Sequence, residues 1–215
     1  MVKVKTSIRP GRFGKMLEKP EPVDPARFGD SVAYKTDWEP LNAIGDSFRS
    51  YKLLRVGPDR MEFRREMRAV ALSAILPLAG ILILFFAFSG KFNAFAMLLG
   101  LGFILLGVYL VYSQLAPIAF DKSNGMFSKG RVKPDRAPGI ENSKKAAELK
   151  NIHALQLLFK PVFQGKKQYY SYDLNLVLKN GKRIFVLSHA DKNAMKEDAR
   201  ALSEFLGKPL WDAAE

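Results

Sequence analysis

Ser188, His189 and Asp191 place the residue types of a hydrolytic triad within four positions: a nucleophile, a base and an orienting carboxylate. Adjacent residues on an extended chain point to opposite faces, and a triad needs convergence in space rather than adjacency. The better reading is a strand that ends at His189 and runs into a helix capped by Asp191. His153, the only other histidine, alternates with Leu155 and Leu157 and reads as a packed or hydrogen-bonded histidine rather than a general base. Two histidines and no cysteine exclude a thiolate nucleophile, a disulfide framework and a thiolate or histidine-rich metal centre. Asp173 and Asn175 share one strand face, where they meet water or a ligand. Leu99-Gly100-Leu101-Gly102 has the glycines of a phosphate loop, but it sits in an apolar run with no lysine behind it. The sequence therefore predicts a protein that is not an enzyme and needs no metal or cofactor.

What remains is charge. The chain has 34 basic and 21 acidic residues among 215, a formal net charge of +13. Nucleic-acid binding would call for a basic stripe interleaved with stacking aromatics. Only the stretch from Lys166 and Lys167 to Tyr172 offers one, and a solvated strand start describes it better, so no nucleic-acid partner is expected. The candidate binding groups are instead Arg64, Arg65 and Arg68, the loop residues Lys129, Arg131, Lys133 and Arg136, and the pair Lys166 and Lys167. Anionic lipid headgroups are the expected counterpart of the first group, because basic residues beside a membrane each favour such lipid.

A membrane is implied by two uncharged stretches: twenty positions from Ala69 to Phe88 and twenty-nine from Phe92 to Phe120. They predict transmembrane helices over 67–88 and 93–113, joined by a turn so short that the two must be antiparallel. Pro77 is expected to kink the first. In the second, Ala96, Gly100, Gly102 and Gly107 are spaced for close helix packing, within the pair or against another protein. Arg60, Arg64, Arg65 and Arg68 precede the spans, Lys122, Lys129, Arg131 and Lys133 follow them, and the turn holds Lys91 alone. The positive-inside rule then puts both termini in the cytoplasm. No ionisable residue lies within either span, which argues against transport by this chain alone.

Residues 1–46, rich in proline and charge, are expected to be an extended or disordered cytoplasmic leader without a signal-peptide core. Residues 47–66 read as a β-hairpin around Gly57, Pro58 and Asp59. Residues 116–215 read as one cytoplasmic domain. It would contain a hairpin on Asn124 and Gly125, a short helix over 143–150, strands near 152–159 and 170–178, and a turn at Asn180 and Gly181 into a further strand. A helix follows, with an apolar stripe of Met195, Ala199, Leu202, Phe205 and Leu206 that stops at Gly207 and Pro209. Leu210 and Trp211 then pack back on the domain.

Antiparallel hairpins ending in one amphipathic helix, placed after a two-span anchor, resemble the bacterial membrane-anchored pleckstrin-homology-like proteins. The stretch from Tyr170 to Ile184, the helix through Leu206, and Pro209 to Asp212 carry the likeness. It implies an α+β membrane protein whose antiparallel barrel is closed by the C-terminal helix. About five strands follow the spans where that family uses seven, and the 47–66 hairpin is positioned to supply the other two, making the helices an insertion.

The function expected is a bacterial inner-membrane protein, multi-pass, whose domain binds a protein or lipid partner as a scaffold. Self-association is a further option. The alternative, from another class, is an immunity protein that neutralises a membrane-active toxin through its helices and its domain.

Overall fold

The structure is a computed structural model that describes residues 17, 20–42, 45, 49–90, 93–131, 143–165 and 167–214. Strand β1 (Tyr51–Gly57) turns through Pro58 and Asp59 into β2 (Arg60–Arg65). One residue later the chain enters α1 (Met67–Ser89), crosses a short turn and returns as α2 (Ala94–Gln114), whose first turn is capped by the Asn93 side chain. Strand β3 (Ile118–Asp121) follows and pairs antiparallel with β2, placing Phe63 opposite Ile118 and Arg60 opposite Asp121. The helical hairpin is thus inserted between two neighbouring, hydrogen-bonded strands. The 47–66 hairpin belongs to the same sheet as the strands beyond the helices.

Strand β4 (Met126–Lys129) pairs with β3 across a tight turn. Asp121 organises that turn by accepting from the Ser123 hydroxyl and from both nitrogens of Asn124, while Gly125 takes the left-handed backbone, φ +64°, that glycine adopts without strain. The short helix expected over 143–150 is not formed. The Ser143 hydroxyl accepts from the amides of Lys145 and Ala146 and turns the chain. Ala146–Glu148 then satisfies the open edge of β4 as strand β5, before a 3-10 turn at Leu149–Asn151.

The second sheet has the order β8-β7-β6-β9. Long strands β6 (Ile152–Gln164) and β7 (Lys167–Leu178) form a hairpin around Gly165, and β8 (Arg183–His189) pairs with β7. Helix α3 (Lys192–Leu206) has both expected stops: the Asp191 carboxylate accepts from the Ala194 amide, and Gly207 closes the other end at φ +63°. Two features depart from a barrel closed by a terminal helix. The strands make two separate sheets, with no strand ladder joining them among the described residues. Beyond α3, Leu210–Asp212 forms β9, which runs parallel to β6. The core between the sheets gathers Phe63, Ile118, Phe120 and Phe127 from the first with Leu155, Leu157, Leu174 and Leu176 from the second, closed by Met195 and Leu202 of α3.

The other face of the second sheet is covered by the described part of the leader, a segment expected from its sequence to be extended or disordered. Residues 25–42 pack on it through 3-10 turns at Pro25–Phe28 and Ala33–Lys35. Ala33 is fully buried against Ala154, Val177 and Trp211, and Phe28, Trp38 and Trp211 stack on one another at 4.9–5.8 Å. Polar contacts add to this: Arg183 to Asp37 at 2.7 Å, His153 to Asp30 at 2.6 Å, and the Lys160 ammonium to the Asn42 carbonyl. A segment without a periodic apolar face is held here by scattered anchors, each matched to the sheet.

Candidate functional site

The strands of the first sheet all run between two ends. Arg65, Ile118, Lys129 and Lys145 mark the end that bears the helices, and the 57–60 and 121–126 turns mark the far end. Of the predicted binding groups, Arg64, Arg65, Arg68, Lys129 and Arg131 come to the helix-bearing end. Arg60 does not. It lies at the far end and is bound to Glu62 at 2.7 Å and to Asp121 at 2.9 Å. Glu62 bridges Arg60 and Arg64. Burial pushes its carboxyl upward, but the two guanidinium bonds outweigh that and hold it below the usual carboxylate range. Asp121 is lowered to about 2, chiefly by the Ser123 hydroxyl and the Asn124 amide bonds.

Arg65 donates to Gln114 at 2.7 Å and lies over the Tyr51 ring, and Gln114 in turn bonds Ser73. This polar clasp ties β2, α1 and α2 together where the helices meet the sheet. Arg131 stacks on the Tyr112 ring, 3.3 Å from its centroid, and donates to the Tyr112 carbonyl. Lys129 reaches across to the second sheet, donating to the Val186 carbonyl at 2.8 Å and lying over the Phe185 ring. Arg68 is exposed at the start of α1. Lys167 is exposed too, but on the β6–β7 hairpin, away from these strands. Lys133, Arg136 and Lys166 lie outside the described residues.

Both helices are long and apolar enough to cross a membrane, with mean hydropathy of 2.6 and 2.5. They pack on each other and leave most of their apolar surface outward: Leu72, Leu98, Phe85 and Phe86 are all more than 60% exposed. The contact is made at the small residues. A Cβ on Gly100 would stand 2.9 Å from the Gly80 carbonyl, and one on Gly107 would stand 2.2 Å from the Pro77 ring. Ala96 is half-buried, whereas Gly102 faces open space. Gly80 was not singled out from the sequence, although it falls three residues after Pro77 and hence on the same helix face.

The triad residue types do not converge. Ser188 lies opposite Asp173 in the β7–β8 ladder, and His189 occupies the next position, facing the other side, fully buried with both ring nitrogens unpartnered. Burial lowers its pKa to about 4, with the Arg49 charge adding to the effect. Asp173 and Asn175 do not face water: both are fully buried beneath the leader, Asp173 2.6 Å from Lys160 and Asn175 bonded to Gln156. Alternation across β7 put them correctly on one face, but the cover over that face could not be read from alternation. Among the described residues no cluster of histidine and carboxylate side chains could hold a metal ion. No protein-family model matches the chain, and no curated protein does.

Proposed function

We propose that this protein is a non-catalytic bacterial inner-membrane protein, a scaffold whose helical hairpin crosses the bilayer and holds the α+β domain against the cytoplasmic surface, where it binds a lipid or protein partner. The observation that carries this reading is the placement of the hairpin. It leaves and re-enters the domain at adjacent strands β2 and β3, so both helix ends flank one end of one sheet, and its outward faces are apolar. Exposed leucine and phenylalanine over so large an area favour lipid over water at about 25 cal/mol per Å². Arg64, Arg65, Arg68 and Arg131 surround the hairpin's base, each worth about 1 kcal/mol toward anionic lipid near the surface, and the positive-inside bias orients that end to the cytoplasm. The likeness to membrane-anchored pleckstrin-homology-like proteins rests on this plan of anchor and domain, while the two-sheet arrangement and strand β9 set the chain apart from a closed barrel.

The rival reading, intramembrane inhibition of a toxin, leaned on the small residues of the spans. Gly80, Gly100 and Gly107 are occupied within the helix pair, which leaves Gly102 as the small outward position among them.

Because the chain has no cysteine, single cysteines report topology without background. A cysteine at Gly90, in the helix turn, should react with a membrane-impermeant maleimide on intact cells, and one at Lys150 only after lysis. Labelling of Lys150→Cys in intact cells would reverse the orientation, and labelling of both would remove the membrane span.

A further inference from the structure

Where the two sheets meet at the helix-bearing end, they leave an open seam of about 300 Å³. Lys129, Lys144, Lys145 and Arg183 line it, with the Phe185 ring and Leu41 as its apolar sides, and among the described residues no carboxylate lines it. Two other cavities contain carboxylates, Glu21, Asp37 and Glu39 beneath the leader and Asp121 on the outer face of β3 and β4, and a third, at Asn151, Leu178, Lys179 and Asn180, offers a single cation. We propose that this seam is a binding site for a phosphoryl anion, a phosphomonoester or diphosphate group.

The four cations have distinct parts. Lys129 holds the sheets at this distance, because its ammonium donates to the carbonyls of Val186 and Phe185 on the open edge of β8. The Lys129 amide meanwhile donates to the Lys145 carbonyl, which fixes the start of β5 beside it. Arg183 is a buried charge in the seam's floor, only 3% exposed, whereas its partner Asp37 is 66% exposed. Its guanidinium donates to Asp37, to the Glu39 carbonyl and to Gln156, so it is held in place as a fixed charge in the floor rather than as a mobile donor. Lys144 and Lys145 are exposed at the mouth and form no ion pair among the described residues, which makes them the groups free to fold onto a ligand. A volume near 300 Å³ is at the small end for ligand sites, enough for a headgroup rather than a cofactor. Tetrahedral phosphoryl oxygens suit a pair of mobile lysine ammonium groups acting as point charges.

The ligand has two natural sources, a phospholipid headgroup reaching up from the bilayer or a free phosphorylated solute. The first rests on the membrane reading above, and the site itself does not. The test uses the full chain in non-ionic detergent, where binding is independent of whether the helices cross a bilayer. Short-chain phosphatidic acid and inorganic pyrophosphate are titrated separately by calorimetry. Lys144→Gln/Lys145→Gln should weaken binding about thirtyfold, while the charge-matched Lys150→Gln/Lys179→Gln, on exposed lysines outside the seam, should leave it unchanged. Saturable binding of both probes assigns the site to free phosphoryl groups as well as lipid, and binding of phosphatidic acid alone assigns it to the headgroup. No binding of either, or equal loss in both double variants, overturns the site. Failure of the cysteine topology with binding intact would remove the membrane reading and leave the seam standing.

Discussion

At the residue scale, the buried charges and the buried histidine set how stability follows pH. His189 has no partner for either ring nitrogen and resists protonation down to about pH 4, whereas in the unfolded chain it takes up a proton near 6.5. Between those values the unfolded state binds more protons, so stability is full above about pH 6.5, falls as pH drops, and levels off below about 4. The loss is on the order of 3 kcal/mol. Asp198 works in the opposite sense, since burial raises its pKa despite the bond from Arg49 and its protonation in the fold favours the folded state as pH falls toward the carboxylate range. Thermal unfolding from pH 7.5 to 4 should therefore show a falling Tm in the parent chain and a much flatter one in His189→Leu. An unchanged slope in that variant would assign the acid sensitivity elsewhere. The Lys160–Asp173 pair is a different kind of buried charge. Breaking such a pair is strongly destabilising because an ion is left in an apolar setting, and the leader carbonyl of Asn42 helps to hold this one.

At the scale of elements, the small residues of α2 have unequal roles. Gly107→Val drives a side chain into the Pro77 ring, and overpacking of this kind costs about 1–3 kcal/mol. At Gly102 a Cβ meets nothing within 4 Å, so Gly102→Val has open space to enter. In detergent, the first should lower the apparent Tm of the helix pair and the second leave it within error. Equal effects would mean that the contact is not made at Gly107. The sequence made the two apolar helices, the hairpins and α3 legible because each carries its own signal: an uncharged run, a glycine turn, or a periodic stripe with a cap at Asp191 and a stop at Gly207. It did not reveal where the leader goes. Phe28, Ala33 and Trp38 recur every five positions, which fits neither the helical nor the strand period, and their meaning lies in Ala154, Val177 and Trp211, more than a hundred positions away. β5 was misread for a related reason. Ala146 and Ala147 favour a helix, and pairing with the open edge of β4 overrides that preference. In the seam, Lys144, Lys145 and Arg183 carried no local mark because two segments far apart in sequence bring them together. Nothing in the spacing of Lys129, Lys133 and Arg136 indicated that Lys129 bridges the sheets.

At the scale of the whole molecule, the domain and its anchor are separable in connectivity, since the hairpin interrupts a strand pair that would otherwise be contiguous. Replacing residues 66–117 with a short glycine-containing turn should join β2 to β3 as an ordinary hairpin and yield a soluble domain. Its cooperative unfolding can be followed through Trp38 and Trp211, the two tryptophans of the chain, which lie 5.7 Å apart. Aggregation without a cooperative transition would mean that the sheet depends on the helices for more than connection. The same insertion also orders events during synthesis. Phe63 leaves the ribosome with its partner Ile118 still fifty-five positions behind, a delay of roughly 3–11 s at the usual elongation rates. For that interval β1 and β2 form an isolated hairpin, which is marginal in water, and its exposed edge can be completed only when the chain returns beside it. On the proposed reading that return happens only if the nascent helices are delivered into the bilayer as a loop. A chain whose second helix fails to come back would strand β2 on one side and β3 on the other, unfolded and open to proteolysis, so that folding of the domain serves as proofreading of its own insertion.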